Sequence, residues 1–191
     1  MTVQNKKDAL RHDTTSSISF RLPENLVDEI KTEAQLNEVT PNVLVSNILE
    51  RYTRWDSTAT KAGFIPVTKV LLRELIERLQ DKELEEVAEL VERKEFADIS
   101  LLMRNEFDID SFLDIIKMRA EVSGYPYRHT VKQNTHTCTI QHDLGAKWSI
   151  YLSARYKAAL EDLGIPSFEF RSSPNTIQFD VTLPKPKKHG P

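Results

Sequence analysis

The chain has 191 residues, 39% of them hydrophobic and 29% charged, with a formal net charge of −3 and a single cysteine, Cys138. That length holds a small module plus one further domain with its own core, and the mixture is that of an ordinary soluble globular protein. One thiol excludes an intrachain disulfide. No apolar run approaches the ~20 residues of a membrane span, and the polar start MTVQNKKDALRHDTTS is no signal peptide. A cytoplasmic protein is expected. Residues 1–58 hold 7 Lys+Arg against 9 Asp+Glu, residues 59–126 hold 10 against 15, and residues 127–191 hold 9 against 5. Nucleic-acid binding by the first segment would therefore have modest non-specific affinity and depend steeply on correct contacts.

Residues 1–16 lack periodicity and read as a flexible arm. From Ser17 the pattern alternates: Ser17, Ser19 and Arg21 are polar, while Ile18, Phe20 and Leu22 are apolar, the period of a strand with one greasy face. Pro23 has no N–H to give and ends it. A lone strand leaves its backbone groups unpaired. Two copies pairing as an antiparallel ribbon would satisfy them, seal the apolar faces in a shared core, and present the polar faces at the width of a major groove.

A first helix is expected over about Glu24 to Leu36, with Leu26, Ile30 and Ala34 in one stripe, Val27 beside it, and Asn37 as a left-handed cap. Thr40-Pro41 announces a second helix, with Thr40 as N-cap and Pro41 at the first helical position. Leu44, Val45, Ile48, Leu49 and Tyr52 follow on a wide apolar face, with Trp55 one turn further. That face is wider than one small helix can cover. Together with Ile18, Phe20, Leu22, Leu26 and Ile30, the residues Leu44, Val45 and Ile48 form the expected dimer core. The N–H groups around Asn42 and Val43 would clamp phosphate.

The strand SISFRLP, the helix start ENLVDEI, Ala34 and the TP-initiated second helix resemble the ribbon-helix-helix DNA-binding family, the class of the MetJ, Arc and CopG repressors. The resemblance covers about 40 residues, expected as a module over 17–56. It implies base-reading by Ser17, Ser19 and Arg21, with Arg21 the strong guanine-reader. It also implies phosphate contact at Thr40, Pro41, Asn42 and Val43. The family's usual glycine between the helices is replaced by Asn37-Glu38.

Residues 57–63, STATKAG, read as a polar linker. A helical segment is expected over 64–124, in three stripes: Leu71, Leu72, Leu75, Ile76 and Leu79; Leu84, Val87, Leu90 and Val91; Phe112, Ile115 and Ile116. The charges between them read as solvated faces, and Asp110 as the cap of the third helix. Over 125–183 the pattern becomes β-β-α-β-β: YRHTVK, then HTCTIQHDLG, a helix AKWSIYLSARYKAALEDLG, and SFEFR joined by SSPN to NTIQFDVTL. An antiparallel sheet with helices on one face is expected, so the whole chain reads as α+β. Residues 184–191 read as a basic disordered tail. In layout alone, a ribbon-helix-helix head before an α/β part resembles metabolite- or metal-responsive repressors.

Catalysis finds little support: there is no phosphate-cradling glycine loop, HExxH or CxxC, and Cys138 with His142 lacks an orienting third group. No enzyme and no cofactor is expected. For metals, His136, Cys138, Ile140 and His142 share one strand face, but His136 and His142 lie roughly 20 Å apart along a strand. A site would need Cys138 plus one histidine, completed by His129 or by a dimer mate. The blander reading, that Cys138 and Ile140 face the core and His142 is a hydrogen-bonded histidine, is preferred, so no metal is assigned.

The residues point to a cytoplasmic, homodimeric, sequence-specific transcriptional regulator, a repressor by resemblance, that binds double-stranded DNA. A small-molecule or metal effector is left open for the second half. The alternative is an interaction module such as an antitoxin, but a partner-binding tail should be polar and poor in apolar residues, and residues 60–183 are patterned and apolar.

Overall fold

The computed structural model describes residues 16–104 and 106–183, and the chain divides into two compact units, Met1–Glu50 and Arg51–Pro191. Nearly all of the expected arm, and all of the expected tail, lie outside the described residues. The fold is mixed α and β, with helices and one four-stranded antiparallel sheet.

In the first unit, residues 16–23 carry no sheet pairing, and the first regular element is helix α1, Glu24–Leu36. The ribbon expected over Ser17–Leu22 is therefore not formed in the single chain. The physical reason is the one that motivated pairing: one strand has no partner for its backbone groups. The end of α1 is closed by two backbone bonds, from the N–H of Glu38 to the Gln35 carbonyl and from the N–H of Val39 to the Ala34 carbonyl. This is the bonding pattern of a Schellman cap, which needs one left-handed residue. That residue is Glu38, at φ 55°, and not Asn37, which sits at φ −90°. Asn37 instead turns its side-chain amide back onto the Glu33 carbonyl at 2.8 Å. Helix α2, Pro41–Arg51, starts as expected, with Thr40 Oγ1 accepting from the Val43 N–H at 3.3 Å.

The second unit begins with a π-helical turn, Tyr52–Asp56, and a short helix α3, Ser57–Ala59. A π turn carries an extra residue and rotates the helix face. Trp55 accordingly leaves the apolar stripe of α2. It is buried with Ala59 and Met118 and packs on Phe64, ring centroids 4.9 Å apart. Residues 57–63 are thus not a plain polar linker, because Ala59 is part of this cluster.

Three helices follow: α4, Lys69–Ile76, α5, Asp81–Arg104, and α6, Ile109–Val122. The cap of α6 is Asp108, which accepts from the Ser111 N–H at 2.8 Å, and not Asp110. The buried stripe of α5 is Leu84, Ala88, Glu92, Phe96 and Ile99, at steps of four and three, while Val87 and Leu90 are exposed. On α4 the expected stripe splits, with Ile76 buried and Leu71 and Leu75 exposed.

Strands β1, Tyr127–Lys132, and β2, Thr135–Gln141, form a hairpin; helix α7, Ala146–Asp162, crosses to a second hairpin, β3, Phe168–Ser173, and β4, Thr176–Thr182. The sheet order is β1-β2-β4-β3, so the two hairpins join through their second strands. Period 2 sends Cys138, Ile140, Ile177, Phe179 and Val181 to one face, where Phe96, Phe112, Ile116, Tyr156 and Leu160 from three helices close the core. Helices α5 and α6 and the sheet therefore share one core, across the segments expected at 64–124 and 125–183.

Candidate functional site

The sharpest feature of the first unit is what it leaves exposed. Among its described residues only Ala34 is buried. Ile18 is 74% exposed, Phe20 56%, Leu22 44% and Ile48 53%, and Leu26 is also exposed. Ile30, Leu44 and Val45 are half-buried. Leu26 and Ile30 of α1 face Leu44 and Ile48 of α2 across an open groove of about 770 Å³. Every residue assigned to a dimer core is thus present and uncovered or partly covered. Burying one such side chain is worth roughly 1.5–3 kcal/mol.

The base-reading candidates Ser17, Ser19 and Arg21 are exposed and alternate with Ile18, Phe20 and Leu22. At the start of α2, Thr40 is occupied twice. Its hydroxyl takes the Val43 N–H and its carbonyl takes the Leu44 N–H at 3.0 Å. Pro41 has no N–H. This narrows the expected clamp, leaving Asn42 as the backbone donor open at that end among the described residues.

The four metal-ligand candidates of the second unit separate into three settings. His129 and Cys138 are directly opposed across β1 and β2, as are Val131 and His136. His129 Nε2 lies 3.1 Å from His136 Nδ1, with the rings stacked at 5.2 Å. Cys138 is buried beside the Tyr127 hydroxyl at 3.4 Å, and burial pushes its thiol up to about 11, against the pull of that hydroxyl. His142 is fully buried beyond the end of β2. Its Nδ1 accepts from the Leu144 N–H at 3.2 Å, so its Nε2–H donates to Ser149 Oγ at 2.8 Å, which in turn donates to the Ser173 carbonyl at 2.7 Å. Burial pulls His142 down to about 4, with Asp143 opposing. Every polar atom of that imidazole is satisfied. Cys138 and His142 do not meet, so the drawn nucleophile–base pair has no geometry. Among the described residues no three His, Cys, Asp or Glu side chains converge on a metal position.

The stretch HDLGAKWS acquires a structural meaning here. His142 and Ser149 bond across it, and Gly145, at φ 90°, gives its N–H to Asn175 Oδ1 at 3.0 Å. Asp143 binds Lys69 Nζ at 3.0 Å and its carbonyl accepts from Arg73, while Lys147 Nζ reaches the Glu77 and Leu79 carbonyls at the end of α4.

Sequence reasoning also missed a buried ion cluster. Glu92 of α5, 2% exposed, pairs with Arg155 of α7, and the buried Arg119 of α6 lies within electrostatic range of both. Burial works against charge on Arg155, yet the Glu92 carboxylate holds its pKa above the ordinary value. Glu95 adds a second carboxylate 3.7 Å from Arg155, so the two guanidiniums and two carboxylates balance. The signal was available: Glu92 sits at the i+4 step between Ala88 and Phe96. Among the described residues no helix is long and apolar enough to cross a membrane. Compared with known protein families and with curated proteins, the chain matches none.

Proposed function

We propose that the chain is a homodimeric, sequence-specific DNA-binding transcriptional regulator, a repressor by its resemblance to the ribbon-helix-helix family. The observation that carries this is that the described residues of the first unit form no core of their own. Its apolar residues alternate over Ile18–Leu22 and line a groove between α1 and α2, while one described side chain there is buried. A second copy supplies both what the strand needs, a row of backbone partners, and what the groove needs, an apolar lid. Pairing the strands antiparallel places Ser17, Ser19 and Arg21 of both copies on the outer face, where an arginine can bind guanine through two hydrogen bonds. Asn42 at the start of α2 then serves the phosphate backbone. The segments 1–58 and 59–126 are acidic overall, so specificity rests on these few contacts.

The test is a selection of duplexes from a random pool by the full chain, with light scattering on the same preparation. The expected result is a dimer or larger assembly at micromolar concentration and an enriched two-fold-related site. Arg21→Ala should weaken that site by about 1–3 kcal/mol and relax one base position in each half. A monomer with no enriched sequence overturns the reading. A dimer with no enriched sequence, but with a bound protein partner in its native cells, favours the interaction-module alternative.

A further inference from the structure

The geometry points to a divalent transition-metal site, of the copper, nickel or zinc class, formed by His129 and His136 on the first hairpin. The site goes beyond the DNA-binding reading and stands independently of it, because both donors lie in the second unit.

The argument starts from the register. His129 opposes Cys138 across the ladder, and His136 lies two residues before Cys138, so both imidazoles leave the sheet on the same face as diagonal neighbours. Their nearest nitrogens, His129 Nε2 and His136 Nδ1, are 3.1 Å apart. With Zn–N bonds of roughly 2.0–2.1 Å, two imidazole nitrogens on one ion stand roughly 2.9 Å apart at a right angle and roughly 3.3 Å apart at the tetrahedral angle. The observed separation lies between those limits, so an ion can enter without moving the strands.

The 3.1 Å contact is a hydrogen bond, so one inner nitrogen carries a proton before an ion binds. Chelation needs a lone pair on both, and a shift of that proton to the outer nitrogen of the same ring supplies it with no net release. His129 is exposed and His136 half-buried, so the pair is open to an ion from solvent. Lys117 of α6, the cation facing the pair, is itself paired with Glu121 at 3.7 Å.

No third side-chain donor converges among the described residues. Such an open two-imidazole site follows intrinsic metal preference, with copper bound more tightly than nickel or zinc.

The test uses the untagged full chain, freed of metal by chelator and titrated separately with Cu²⁺, Ni²⁺ and Zn²⁺ by calorimetry, in the absence of DNA. The expected result is one ion per chain at micromolar affinity. His129→Ala and His136→Ala should each weaken binding by about tenfold or more, since even loss of a ligand's supporting hydrogen bond costs that much. Paramagnetic broadening by Ni²⁺ in the unsubstituted chain gives a second readout: the His129 and His136 ring protons should broaden ahead of those of His142, roughly 20 Å further along the chain path. No binding to the unsubstituted chain overturns the proposal. So does binding by a chain carrying both His129→Ala and His136→Ala equal to that of the unsubstituted chain, or broadening centred on another histidine.

Discussion

The two units use the same hydrophobic grammar to opposite ends. In the second unit, period-2 strands and stepped helices bring Ile140, Ile177, Phe179 and Val181 of the sheet to zero or near-zero exposure beneath Phe112 and Leu160. In the first unit, an equally regular pattern leaves Ile18, Phe20, Leu22 and Ile48 in the open. A pattern of apolar residues states which side chains gain by leaving water; it does not state whose surface they leave it for. Where the chain supplies both layers the pattern becomes a core. Where it supplies one, the pattern becomes a demand for association.

The contrast can be broken most severely at Phe179. Phe179→Ala removes a ring with no solvent exposure that contacts Phe112, Tyr156 and Phe170. It should cost the second unit about 3–5 kcal/mol, measured by urea unfolding and independent of protein concentration. The matched change Phe20→Ala should leave that transition in place. It should instead weaken self-association by about 1.5–3 kcal/mol per copy, read by sedimentation over a dilution series. Equal responses at the two sites would erase the distinction between the units.

Acid gives the next largest effect. His142 titrates near 4 in the folded unit, whereas the unfolded chain takes its proton at about 6.5. The unfolded state therefore binds more protons across that window, and stability falls as pH drops from about 6.5 to about 4, by about 3 kcal/mol in all. Chemical denaturation at stepped pH checks this, and His142→Gln should flatten the slope there.

The smallest effect returns to the first unit. Glu38 holds a left-handed conformation that costs a non-glycine residue roughly 1–2 kcal/mol. Glu38→Gly should raise the thermal stability of the assembled first unit by about 0.5–1 kcal/mol, part of the relief being offset by the greater freedom of glycine when unfolded. A loss of stability would mean that the Glu38 side chain has a role in the assembly.

Much of the fold was legible before any coordinates. The bounds of α1, the Thr40 cap, the positions of both hairpins and the crossing helix all follow from local signals: a proline, a hydroxyl before Pro41, alternation, and a glycine stop. What could not be read depended on partners distant in sequence. Glu92 looked like part of a solvated face because its counterion, Arg155, lies on another helix. Trp55 looked like an extension of α2 because nothing local announces a π turn. The choice of Glu38 over Asn37, and of Asp108 over Asp110, turned on one or two residues of register, which residue preference alone does not resolve. Of the metal candidates, sequence gave the shared strand face, while the pairing register brought His129 beside His136 and left Cys138 with Tyr127.

Helix α4 holds a further consequence. Its one buried residue among those described is Ile76; Lys69 and Arg73 tie it to Asp143, and Lys147 holds the Glu77 and Leu79 carbonyls of the turn that follows it. Such latches are polar and mostly exposed, with Lys69 and Asp143 at 44% and 67%. An element fastened this way should open more readily than the four-stranded sheet. Its backbone amides should exchange with deuterium well before those of β2 and β4, and faster still in molar salt, where screening acts within roughly 3 Å. Fast exchange confined to α4 would mark it as a segment that opens and closes while the rest of the second unit stays folded.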